Sequence, residues 1–104
     1  MGALTDAAAR ILFDKHDFAS CNNAGRCIRA GYVVSEGSEG RVRVAHRIPE
    51  PDLLDDDRPS DDEMAAERHR MVDEYATTLT AAGWAVEKRG PHSRNPYLLA
   101  TRPV

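Results

Sequence analysis

Uncharged apolar runs are short throughout this chain, and none approaches the roughly 20 residues that cross a bilayer, so no membrane span is expected. The apolar stretch near the N-terminus carries Asp6, Arg10, Asp14 and Lys15, which excludes a secretory signal. Met1-Gly2 opens like a myristoylation signal, but that motif takes Ser or Thr where Asp6 stands. A cytoplasmic protein is the expectation. Lysine is scarce: Lys15 and Lys88 stand alone and every other basic residue is arginine. With Ala, Asp and Val plentiful, this is the composition of a GC-rich bacterial genome. Cysteine is limited to Cys21 and Cys27. Placed on one helix, their Cα atoms lie about 9 Å apart by the helical rise, beyond the roughly 7 Å a disulfide tolerates. Even with His16 or His46 they fall short of the ligand set and spacing of a zinc site. Free thiols, no metal and no cofactor are therefore expected. No nucleophile or metalloprotease signature appears, and Gly31, Gly37 and Gly40 belong to a hairpin rather than a phosphate loop. A non-enzymatic protein is expected.

What is present is one strong helix, from Ser60 to Ala82. Ser60-Asp61-Asp62-Glu63 has the form of a capping box, with Asp61 and Asp62 where the helix dipole favours negative charge. At about 100° per residue, Met64, Met71, Val72, Tyr75, Leu79 and Ala82 share one broad apolar face. Gly83 suits the left-handed position beyond the last turn, with Trp84 folding back on it. Arg68 interrupts the apolar face.

A first helix should begin with Thr5 as N-cap and bury Ala8, Ile11 and Leu12. Residues 20–30 suit either helix or strand. Ala30-Gly31-Tyr32-Val33-Val34 echoes Ala82-Gly83-Trp84-Ala85-Val86, and Val44-Ala45-His46-Arg47 echoes Leu99-Ala100-Thr101-Arg102. If Gly31 ends a helix as Gly83 does, then 20–30 is helical, with Cys21, Ala24 and Ile28 on one side. Each such unit continues into a hairpin. In the first, Tyr32 and Val34 face Val42, Val44 and His46, and Arg41, Arg43 and Arg47 project from the other side. In the second, Trp84, Val86 and Lys88 pair with Tyr97 to Ala100, and Leu98 and Leu99 point to opposite faces. The expected architecture is a single α+β domain over 1–104, ordered helix, helix, hairpin, long helix, hairpin, with antiparallel strands packed on the long helix. It comprises a helix-helix-hairpin unit (1–47), an acidic Pro-rich linker (48–59), to which Leu53 and Leu54 offer an anchor, and a helix-hairpin unit (60–104).

Net charge is −3, which argues mildly against a nucleic-acid partner, but the acidity is local. Glu50 to Glu63 holds eight acidic residues against one arginine, or −7, leaving the rest of the chain at +4. Asp55-Asp56-Asp57 is expected to be solvated rather than to hold a cation, and His69 and His92 to be exposed. On a helical 20–30, Asn22, Arg26 and Arg29 form a polar stripe with Asn23 beside it, followed by the hairpin bearing Arg41, Arg43 and Arg47. This layout, over about residues 5–47, resembles a winged-helix DNA-binding domain, although two helices precede the wing where three are usual. The resemblance implies that the Asn/Arg helix reads bases in the major groove and that the hairpin arginines contact phosphate. DNA is thus the first expected partner. The alternative is a protein-interaction module, a homodimer joined through the long helix by Met64, Arg68, Met71 and Tyr75, residue types enriched at interface centres.

Overall fold

The structure, a computed structural model, describes residues 2–103. Its elements are α1 (Ala3–Phe13), β1 (Ser20–Cys21), β2 (Cys27–Arg29), β3 (Gly31–Glu36), β4 (Val42–Arg47), α2 (Asp61–Ala81), β5 (Ala85–Arg89) and β6 (Tyr97–Thr101). The last four strands make one antiparallel sheet in the order β3-β4-β6-β5. Both helices lie on the same face of it, so the fold is α+β as expected. Ala8 and Leu12 of α1, and Val72, Tyr75 and Leu79 of α2, close over Tyr32, Val42, Val44, Leu98, Ala100 and Trp84 in one buried cluster. No helix of the described residues is long and apolar enough to cross a membrane.

The ends of α2 are those its sequence specifies. The Glu63 N–H donates to Ser60 Oγ (3.1 Å) and the Ser60 N–H to Glu63 Oε1 (3.3 Å), the two reciprocal bonds of a capping box. At the other end Gly83 adopts φ 91°. The Gly83 N–H reaches the Thr80 carbonyl and the Trp84 N–H the Leu79 carbonyl, which together satisfy two carbonyls of the last turn. α1 starts earlier than expected. Gly2 is its N-cap, and Thr5 sits inside the first turn, donating its hydroxyl to the Gly2 carbonyl at 2.7 Å.

Residues 20–30 are not helical. They form the short hairpin β1–β2, with Ser20 opposite Arg29 and Cys21 opposite Cys27. Asn22 decides this: its Oδ1 accepts from the backbone N–H groups of both Ala24 and Arg26 at 3.0 Å, a local arrangement that competes with helix. Gly25 takes φ 81° to close the turn. The parallel drawn between Gly31 and Gly83 fails for a physical reason. Gly31 caps nothing; it lies buried in β3, where any Cβ would collide with the Phe18 and Ala19 backbone. That segment runs beside β3, the Tyr32 N–H donating to the Asp17 carbonyl and the Ala19 N–H to that of Tyr32. The winged-helix layout goes with the second helix, because one helix precedes β3–β4 and β4 is an interior strand rather than a projecting ribbon.

The two main hairpins meet through their second strands, Val44 opposite Leu98 and Arg43 opposite Leu99. Val42 and Val44 therefore match Leu98 and Ala100 as the core-facing positions, one residue out of step with the sequence echo. Leu99 faces the other way, yet is buried: the turn between β3 and β4 folds back so that Gly37 abuts it. Most of the linker stands clear of this body. Leu53 and Leu54 are 75% and 92% exposed and do not anchor it. Instead Asp52 and Asp55 form turns, each carboxylate accepting the N–H two residues on at 2.9 Å.

Candidate nucleic-acid interface

The residues expected to contact nucleic acid separate into two groups. Asn22 spends its side-chain oxygen on its own turn, while Asn23 is exposed at the tip. Arg26 is paired with Glu50 of the linker at 3.3 Å and Arg29 with Asp17 at 3.1 Å, so both are already engaged by carboxylates. Arg41 lies between Glu39 (3.9 Å) and Glu87 (3.6 Å), its Nε buried without a partner among the described residues. These side chains do not form a stripe.

Arg43 and Arg47 remain, both pointing away from the helices because they alternate with Val42, Val44 and His46. Neither forms an ion pair with a carboxylate among the described residues. Arg68, from the middle of α2, joins them. The three line one cleft of about 240 Å³ with Asn95, its floor made by Val33, Ala45 and Pro96. The cleft exists because β6 begins at Tyr97, opposite Ala45, so His46 and Arg47 run on without a β6 neighbour. α2 fixes the loop that borders the gap: Arg68 Nη1 donates to the Arg94 carbonyl at 3.3 Å, and His69 Nε2 to that of Ser93 at 2.7 Å. Arg94 in turn reaches Asp61 (3.6 Å) and Asp62 (3.4 Å) in the first turn of α2. The Arg43 guanidinium stacks 4.3 Å from the centre of the Tyr97 ring, a cation–π contact that holds it flat against the sheet.

Behind the cleft, His46 is held on both sides. Glu67 Oε2 accepts from Nε2 at 2.9 Å, and the Tyr75 hydroxyl, 2.7 Å away, donates to Nδ1. Burial, reinforced by the charges of Glu74, Glu67 and Asp17, holds the Tyr75 phenol well above its ordinary range, so it remains a donor. His16 packs its ring edge-on to Tyr75 and donates Nε2–H to Thr78 Oγ1 at 2.7 Å, since that hydroxyl gives its own proton to the Glu74 carbonyl. Burial lowers the His16 pKa, more than Glu74 raises it. With both its nitrogens engaged, His46 is a wall of the cleft rather than a free base. Among the described residues, no group of three or more His, Cys, Asp or Glu side chains is placed to hold a metal ion.

The expected dimer patch is not an exposed patch. Tyr75 is fully buried in its own core, Met71 packs against that core, Met64 is half-buried, and Arg68 belongs to the cleft. Two participants escaped sequence reasoning, Tyr97 and Glu67. The diagonal neighbours Arg43 and Tyr97 become visible only once β4 is known to pair with β6, and Glu67 has the pattern of an ordinary solvated helix residue.

No protein-family model matches the chain, and no curated protein or solved structure matches it. The cleft has to be interpreted from its own chemistry.

Proposed function

We propose that this protein is a non-enzymatic nucleic-acid-binding protein that holds the phosphates of a single strand in the Arg43, Arg47 and Arg68 cleft. The supporting observation is that Arg43, Arg47 and Arg68, none of them ion-paired with a carboxylate among the described residues, line one cleft. Arginine is the side chain suited to forked contacts with phosphate oxygens. A single strand fits better than a duplex because, among the described residues, no helix or ribbon projects at this cleft to enter a groove, whereas the apolar floor and the Tyr97 ring border the arginines with surface on which bases pack.

Three phosphate contacts to a single strand give a salt slope of about −2, so affinity falls roughly a hundredfold for a tenfold rise in salt. Fluorescence anisotropy with a labelled oligonucleotide, single-stranded and duplexed, tests this at about 50 mM salt. Arg43→Ala with Arg47→Ala abolishes binding, Arg68→Ala weakens it and flattens the slope, and Arg26→Ala with Arg29→Ala leaves it unchanged. Absence of binding at low salt, or equal loss in the Arg26/Arg29 variant, rejects the proposal.

A further inference from the structure

Cys21 and Cys27 were expected on a helix, too far apart to join. They instead face each other across the β1–β2 ladder. Opposed residues of an antiparallel pair have Cα atoms about 4.5–5.5 Å apart, within the roughly 4.4–6.8 Å that a disulfide spans. The next pair outward, Asn22 and Arg26, is joined by a backbone hydrogen bond of 2.9 Å, which places Cys21 and Cys27 at the closely spaced rung. Both thiols are free, Cys21 exposed and Cys27 buried. Arg47 Nη1 donates to Cys21 Sγ at 3.1 Å and its Nη2 to the Gly25 carbonyl at 2.9 Å. One guanidinium thus pins both the sulfur and the turn. The ion pairs of Arg26 with Glu50 and of Arg29 with Asp17 hold the rest of the hairpin in place.

We propose that Cys21 and Cys27 form a reversible thiol–disulfide pair oxidised by hydrogen peroxide, with Cys21 oxidised first and Cys27 resolving. The Cys21 sulfur attacks one peroxide oxygen, the O–O bond breaks, and the leaving oxygen departs as water with the Cys21 thiol proton, leaving a sulfenic acid. Cys27 gives up its hydrogen bond to the Arg29 carbonyl (3.2 Å). Its sulfur attacks that of Cys21, the S–O bond breaks, and hydroxide leaves as a second water with the Cys27 proton. Two thiols lose two electrons and the peroxide gains them. The inference does not rest on nucleic-acid binding, although Arg47 belongs to both the cleft and the cysteine pair.

The test treats fully reduced protein with an equimolar amount of hydrogen peroxide, alkylates the remaining thiols, and weighs the intact chain. The expected product is a monomer two hydrogens lighter, with neither cysteine alkylated, returning to two alkylated cysteines after dithiothreitol. Cys27→Ser stops at a sulfenic acid that dimedone traps on Cys21. Cys21→Ser, a surface change that spares the buried thiol, leaves Cys27 alkylatable after peroxide. Arg47→Ala slows disulfide formation several-fold. A Cys21-linked dimer, a sulfinic acid on Cys21 with Cys27 still alkylatable, or two unreacted thiols overturns the proposal.

Discussion

Tyr75 shows how one side chain can serve core and site together. Its ring is part of the apolar cluster, meeting Tyr32 and His16 edge-on at centroid distances of 6.0 and 4.9 Å. Its hydroxyl supports His46, which lines the arginine cleft. Tyr75→Phe keeps the packing but leaves a buried imidazole nitrogen without a donor, a loss of about 1–3 kcal/mol. Urea unfolding at neutral pH measures it. The same hydroxyl gives the fold an alkaline limit. Its folded pKa lies above the ordinary value of 10.0, so the folded state retains a proton that the unfolded state releases. The associated stability is intact below about pH 10 and is lost as pH rises towards the folded value. The wild-type midpoint should therefore fall more between neutral and strongly alkaline pH than that of Tyr75→Phe; parallel curves would show that Tyr75 does not titrate differently on folding.

Among elements, α2 was legible because its signals are local. Capping box, apolar face and glycine exit all lie within hydrogen-bond reach of the residues that carry them, and Ser60→Ala should cost about 1 kcal/mol by thermal unfolding, with little change in the folded structure. Residues 20–30 were not legible in the same way. Cys21, Ala24 and Ile28 have helical spacing, but the Asn22 carboxamide offers its neighbours a competing turn, and the contacts that accompany that turn, from Asp17, Arg47 and Glu50, come from elsewhere in the chain. Gly31 misled for the same reason. Sequence shows a glycine before an aromatic in both places, but at Gly83 the requirement is a positive φ and at Gly31 it is a strand edge with no room for a side chain. The arginines follow this division. The alternation of β4 correctly aimed Arg43 and Arg47 away from the core, while Arg68, which completes the cleft, looked like a flaw in a helix face until the end of β6 was placed.

The molecule as a whole is a basic cleft on a chain of net negative charge, and the two are reconciled by where the acid lies. The −7 of Glu50 to Glu63 belongs partly to α2's first turn, where it caps and binds Arg94, and partly to the exposed turns of the linker. Asp55, Asp56 and Asp57 form no ion pair with the basic side chains of the described residues, so their field is neutralised only by solvent and counterions. That field repels a phosphate chain approaching any nearby surface, and within about 10 Å at roughly 0.1 M salt it is only partly screened. Replacing Asp55, Asp56 and Asp57 with asparagine keeps the Asp55 turn, since the amide oxygen accepts the Asp57 N–H as the carboxylate does. The fold and its melting temperature should be unchanged. Oligonucleotide affinity should rise several-fold at low salt, chiefly through a faster association rate, and the difference should vanish as salt approaches about 1 M, where the screening length is near 3 Å. An affinity gain that persists at high salt would indicate direct occupation of the cleft by the linker rather than repulsion through space; no gain at low salt would show that the linker's charge lies beyond reach of the bound strand.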